Sequence, residues 1–154
     1  MEDDGLERFV EPVRDHLDDV VAELAAGRKQ THWMWFMFPQ LQTLGRSDTA
    51  RYYGLADLDE ARRFVTHPAL GSTYERLVAI VHDLVVRRQL LVHDVFGSPD
   101  DMKLVSSLTL FCAAADLEGR IGLAEHGQAI LEVADRQGMP RCPTTLATLA
   151  ATHE

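Results

Sequence analysis

The sequence predicts an all-α fold, a compact single-domain array of about six to eight helices over residues 1–154. Three observations carry that expectation. Apolar residues recur at the helical period through most of the chain, helix-capping signals punctuate it, and strand signals are sparse. The β-branched run Val78–Val86 fits a buried helix better than a strand by its length.

The elements follow in order. Leu6, Phe9/Val10, Val13, Leu17, Val20/Val21 and Leu24 share one helix face, and Gly27 suits the position just past the C-terminus. Pro12 interrupts that pattern and predicts either a helix start or a kink. Residues 31–38 predict a short buried helix that stops before Pro39. Ser47 is placed to cap a short helix through Tyr53, which Gly54 ends. Asp57 to Glu60 resembles a capping box for a helix over 58–66. Pro68 opens the next helix, which carries Leu70, Tyr74, Leu77, Val81 and Leu84/Val85. Ser98-Pro99-Asp100-Asp101 combines a capping serine, a proline at the first position and two acids facing the positive end of the dipole. That helix is expected to reach about Asp116. Another follows over 123–136, and Pro140 and Pro143 break the chain before a last helical stretch.

Composition excludes several functional classes. A length of 154 residues supports one core without staples, and 46% hydrophobic content is ordinary for a globular chain. A net charge of −9 disfavours nucleic acid as a partner, which asks for a basic face. No run has the length of a membrane span. The beginning of the chain, with Glu2, Asp3 and Asp4, is acidic and unlike a signal peptide. Cys112 and Cys142 form neither a disulfide framework nor a metal quartet, so a cytoplasmic location is expected. No metal and no cofactor are expected: the chain lacks a nucleophile elbow, a phosphate-binding glycine loop and a paired-histidine helix. His82 and His93 lie too far apart in sequence to share an ion.

The densest chemical signal is His32-Trp33-Met34-Trp35-Phe36-Met37-Phe38-Pro39, which holds both tryptophans of the chain. Aromatics crowd every face of any element drawn through it, so it is either the packing centre or the wall of a pocket. Both tryptophans are expected to be largely buried, with Trp35→Ala costing about 3–5 kcal/mol. The chain has thirteen arginines but only two lysines, Lys29 and Lys103, each at the polar edge of an unusual segment. Lys103, Ser106 and Ser107 form a narrow polar stripe, with Asp100 beside it, on a helix that is otherwise apolar most of the way round. Arg28, Lys29, His32 and Gln40 flank the aromatics. An aromatic wall with a few convergent polar groups is what a small-molecule site needs. The candidate ligand-binding residues are therefore Arg28, Lys29, His32, Trp33, Trp35, Gln40, Lys103, Ser106 and Ser107. Their positive character favours an anionic or nucleotide-like small molecule, and an N-glycosidase acting on a nucleotide-derived metabolite is one enzymatic form of that reading. The alternatives are a helical adaptor for a partner helix, and motifs that serve only as scaffolding. The site reading requires Lys29 and Lys103 to lie on the same side of the molecule.

Five strings in fixed order, GRKQTHWMWFMFPQ (27–40), LGRS (44–47), HPALG (67–71), FGSPDDMK (96–103) and SSLTLF (106–111), closely resemble the bacterial family called domain of unknown function 1810, some of whose members are labelled calpastatin. The resemblance covers about residues 6–116 and implies a compact all-α fold and a cytoplasmic protein, with no established activity. It weakens at Glu11-Pro12 and again over Gln137–Pro143.

Overall fold

In the computed structural model, which describes residues 5–152, the apolar period of the N-terminal segment becomes α1, Glu7–Ala25. Glu2, Asp3 and Asp4 lie outside the described residues. Phe9, Val13, Val20 and Leu24 form the buried face of α1. The helix closes in a Schellman motif: Gly27 N–H donates to Leu24 O at 2.9 Å and Arg28 N–H to Glu23 O at 3.1 Å, with Gly27 at φ +83°. Pro12 lies within α1, which starts before it and runs on past it.

The aromatic segment makes less helix than its sequence predicts. Only Met34–Met37 form a helical turn, α2, because Glu23 holds the N–H groups of Gln30 and Thr31 from across the gap. A 3-10 turn, Gln42–Leu44, follows. Leu41 and Leu55 then form an isolated parallel bridge between the two stretches, with Gln42 N–H donating to Leu55 O at 2.8 Å and Leu55 N–H to Gln40 O at 2.9 Å. Among the described residues there is no strand.

Caps then behave as their residue types dictate. Ser47 accepts from Ala50 N–H at 3.1 Å and starts α3, Asp48–Tyr52. Asp57 accepts from Glu60 N–H at 2.9 Å and starts α4, Leu58–Thr66. The Glu60 carboxylate does not complete a capping box. It takes Ala56 N–H at 3.1 Å and pairs with Arg8 at 3.0 Å. Arg8 also donates to Tyr52 O and Gly54 O, so one guanidinium fastens α1 to the α3–α4 turn. His67 Nδ1 caps α5, Pro68–His82, by accepting from Ala69 and Leu70 N–H. α5 continues into a π-helical turn, Asp83–Arg87.

After it come α6, Val92–Phe96, α7, Asp100–Leu117, α8, Ile121–Arg136, and α9, Pro143–Thr152. The nine α-helices among the described residues exceed the expected six to eight because the short α6 carries no periodic signal. Ser98 is not the cap of α7. Pro99 occupies that position, and the turn already begins at Gly97, whose carbonyl takes Asp101 N–H at 2.8 Å.

α7 is the axis of the fold. Leu104, Val105, Leu108, Leu110, Phe111, Cys112, Ala114 and Ala115 are all buried, with α8, α4, α9, α6 and α2 packed around them. Phe111 stacks on Tyr74 of α5 at 4.2 Å and meets Phe64 of α4 edge-on at 5.2 Å. Met102, at the start of this helix, is 58% exposed. Trp33 is fully buried against Phe38 and Phe96. Trp35 is only half-buried, so the large core penalty expected of it belongs to Trp33. No helix among the described residues is long and apolar enough to cross a membrane.

The crossing of α4 and α5 leaves no room at Gly71, where an added Cβ would stand 2.1 Å from Val65 O. Gly71→Ala is expected to destabilise by about 2 kcal/mol or more, because backbone must move to admit the methyl. Gly122→Ala in α8 meets open space and is expected to be neutral or stabilising, by up to about 1 kcal/mol. Trp33→Ala is expected to cost about 3–5 kcal/mol. Urea unfolding of the three variants checks the ranking.

Candidate functional site

The site begins with Glu23, near the end of α1. Its Oε1 accepts from Gln30 N–H at 2.6 Å, Thr31 N–H at 2.9 Å and Trp33 Nε1–H at 3.0 Å, and its Oε2 from the Thr31 hydroxyl at 2.5 Å. Burial alone would raise this carboxyl; the hydrogen bonds from Thr31, Gln30 and Trp33 outweigh burial and lower it from 4.5 to about 2. The carboxylate thus sets the path of residues 30–33 and the tilt of the Trp33 indole.

Lys29 is fixed at both ends. Its N–H donates to Val95 O at 2.7 Å. Its ammonium, on a side chain only 6% exposed, meets Asp100 Oδ2 at 2.8 Å, donates to Thr31 O and lies 5.0 Å from the Trp33 ring centre. Lys103 approaches the other oxygen of the same carboxylate at 3.8 Å and lies 6.0 Å from the Trp35 ring centre. His32 stands 6.3 Å from Trp35, ring to ring. Lys29, His32, Trp33, Trp35, Asp100 and Lys103 line one cleft of about 240 Å³, with Ser98 and Pro99 at its edge. The two lysines of the chain therefore share one side and one carboxylate.

Four candidate residues lie elsewhere. Arg28 lines a neighbouring cleft. Gln40 lines a cavity of about 10 Å³ on another side of Trp35, room for one water at most. Ser107 is fully buried and exchanges a 2.9 Å hydrogen bond with the Tyr74 hydroxyl. The Ser106 hydroxyl donates to Met102 O at 3.1 Å and borders the Cys142 thiol. The expected convergence of Ser106 and Ser107 on Lys103 is thus corrected: Ser107 has its partner inside the core, on a helix that the period of α7 cannot reveal. Glu23 is the site residue that sequence reasoning missed, and Asp100, placed beside the stripe, was left out of the ligand-binding candidates. Asp100 had a signal, three residues before Lys103; Glu23 had none, because its partners are loop N–H groups.

The remaining reactive side chains are elsewhere in the fold. Burial pushes the Cys112 thiol up to about 12 and makes it inert. Burial also opposes ionisation of Cys142, but hydrogen bonds from Thr145 and Thr144, with the Ser106 hydroxyl beside the sulfur, outweigh it and lower that thiol. His82 packs against His126 at 4.5 Å, and its imidazole is lowered by burial and by that neighbour. Among the described residues no group of three His, Cys, Asp or Glu side chains is placed to hold a metal ion.

Comparison with known proteins places the chain. The family described as "Protein of unknown function (DUF1810)" matches residues 3–125, and the chain belongs to that family. The crystal structure of the conserved hypothetical protein Rv1873 from Mycobacterium tuberculosis is similar, at 38% identity and a TM-score of 0.80, over 92% of this chain and 94% of that one. No curated protein matches.

The Glu23 clamp makes acid stability a test of this geometry. A carboxyl lowered in the folded state contributes stability that is present above its unfolded value and is lost as pH falls towards about 2. The gap in melting temperature between the wild type and Glu23→Gln is expected to be widest above about pH 5 and to narrow steadily below it. A gap independent of pH would show that the carboxylate does not hold the loop.

Proposed function

We propose that this DUF1810 protein binds an anionic or nucleotide-like small molecule in the cleft between residues 29–35 and the start of α7. The observation that carries the reading is the meeting of Lys29, Lys103 and both tryptophans around Asp100. The half-buried Trp35 leaves ring surface for a planar group. Lys29 is enclosed and committed to Asp100 and Thr31, whereas Lys103 is 29% exposed and held at 3.8 Å, so it is the cation free to turn to a ligand. At about 240 Å³ the cleft lies just under the usual range of about 300–1,000 Å³ and suits a mononucleotide-sized molecule rather than a dinucleotide. N-glycosidic hydrolysis of a nucleotide-derived metabolite is the enzymatic form of the proposal, with Asp100 the carboxylate in reach. A cytoplasmic setting accords with two cysteines that are not joined.

A thermal-shift screen against nucleotides and other small anions tests the reading. A ligand at a hundred times its Kd raises stability by about 2.7 kcal/mol. Lys103→Ala is expected to abolish that shift while changing the stability of the free protein by no more than about 1 kcal/mol. A Lys103→Ala protein that keeps the shift, or that unfolds readily by itself, overturns the reading.

A further inference from the structure

Beyond Lys29 the surface opens into a second cleft, of about 550 Å³, whose walls carry Arg28, Lys29, His93, Asp94 and Gly97. It is built where the chain leaving α1 is tied to α6 by the bond from Lys29 N–H to Val95 O. Its most ordered polar group is His93. The imidazole is 63% exposed, yet its Nδ1 lies 3.0 Å from Asp101 Oδ2. The Asp101 side chain is only 8% exposed, and its other oxygen accepts Met102 N–H at 2.8 Å. A buried carboxylate can only accept, so Nδ1 carries the hydrogen between them, and Nε2 is the ring nitrogen left for a ligand. Across the cleft, Arg28 is exposed and makes no ion pair among the described residues. Its guanidinium offers a planar fork of donors suited to phosphate oxygens. Asp94 lines the same cleft and opposes an anion, while the Asp101 charge faces the imidazole and offsets it.

The two clefts are continuous in the chain. Lys29 lines both, and Asp100 of the first is the residue next to Asp101, which holds His93 of the second. We propose that the Arg28–His93 cleft is a phosphate-binding compartment adjoining the aromatic one, so that the ligand class is a phosphorylated molecule with a planar moiety. The phosphate meets the Arg28 fork and Nε2 of the His93 ring, which Asp101 orients through Nδ1. The planar moiety lies along Trp35. That second half rests on the proposed function; the phosphate compartment stands on its own residues.

The experiment is an NMR titration of the full chain with three probes: inorganic phosphate, adenosine and adenosine 5′-monophosphate. Inorganic phosphate is expected to shift the His93 ring signals saturably and leave the Trp35 indole unmoved. Adenosine is expected to do the reverse, and the monophosphate to move both and bind more tightly than either part. Arg28→Ala and His93→Gln, both at exposed positions, are expected to keep the wild-type melting temperature and to weaken phosphate binding about tenfold, while Asp94→Asn tightens it. Phosphate that leaves His93 unmoved, or that binds both variants as it binds the wild type, overturns the compartment. Adenosine that never reaches Trp35 while phosphate moves His93 overturns the aromatic half alone.

Discussion

One carboxylate organises the segment that leads out of α1 into the aromatic cleft. Glu23 accepts hydrogen bonds from two backbone N–H groups, a hydroxyl and an indole, all within residues 30–33. Without it the Gln30 and Thr31 donors, both exposed, would turn to water and the loop would lose its tie to α1. By gathering them on a helix that is itself anchored in the core, Glu23 turns a loop into a rigid wall. Lys29, held by the Val95 carbonyl on one side and Asp100 on the other, closes the same wall against α6 and α7. Everything the cleft offers a ligand follows from those ties.

The charges are laid out along the first turn of α7. Asp100 and Asp101 are consecutive, so they point to different sides of the helix. Asp100 gathers the two lysines beside the tryptophans, and Asp101 holds His93 at the wall of the cleft that Arg28 also lines. The acids also stand at the positive end of the helix dipole, in the first turn of α7. The rest of α7 is enclosed by apolar packing, so the turn is held by the core and not by the site.

The sequence made the all-α architecture legible because helix periods and caps are local. Ser47, Asp57 and Pro68 each sit where the caps and starts of α3, α4 and α5 require. The aromatic segment, the two lysines and His32 also converge as their unusual composition implied. Long-range partnerships stayed out of reach. Nothing near Ser107 in sequence announces Tyr74, and nothing near Glu23 announces the Trp33 indole. The same limit applies to Ser98, whose capping role was displaced by a turn that starts one residue earlier, at Gly97. Local signals identify elements, whereas a site is a set of distant meetings, and only unusual composition hints at those.

The retention of lysine at two positions in an arginine-rich chain has a physical reason at one of them. The Lys29 ammonium is nearly enclosed and meets a carboxylate, a carbonyl and the face of an indole. Those contacts surround a compact point charge. A planar guanidinium is larger, directs its donors within one plane, and could not satisfy an acceptor on each side while facing the ring. Lys103 is under no such enclosure: it is partly exposed and lies farther from both Asp100 and Trp35. The first lysine is therefore committed to holding the wall together, and the second is the one whose chemistry is available. Removing the first strands Asp100 beside a buried gap, whereas removing the second leaves Asp100 with its closer partner. Two residues of the same type thus stand in different environments, one enclosed and one partly exposed, on either side of a single carboxylate.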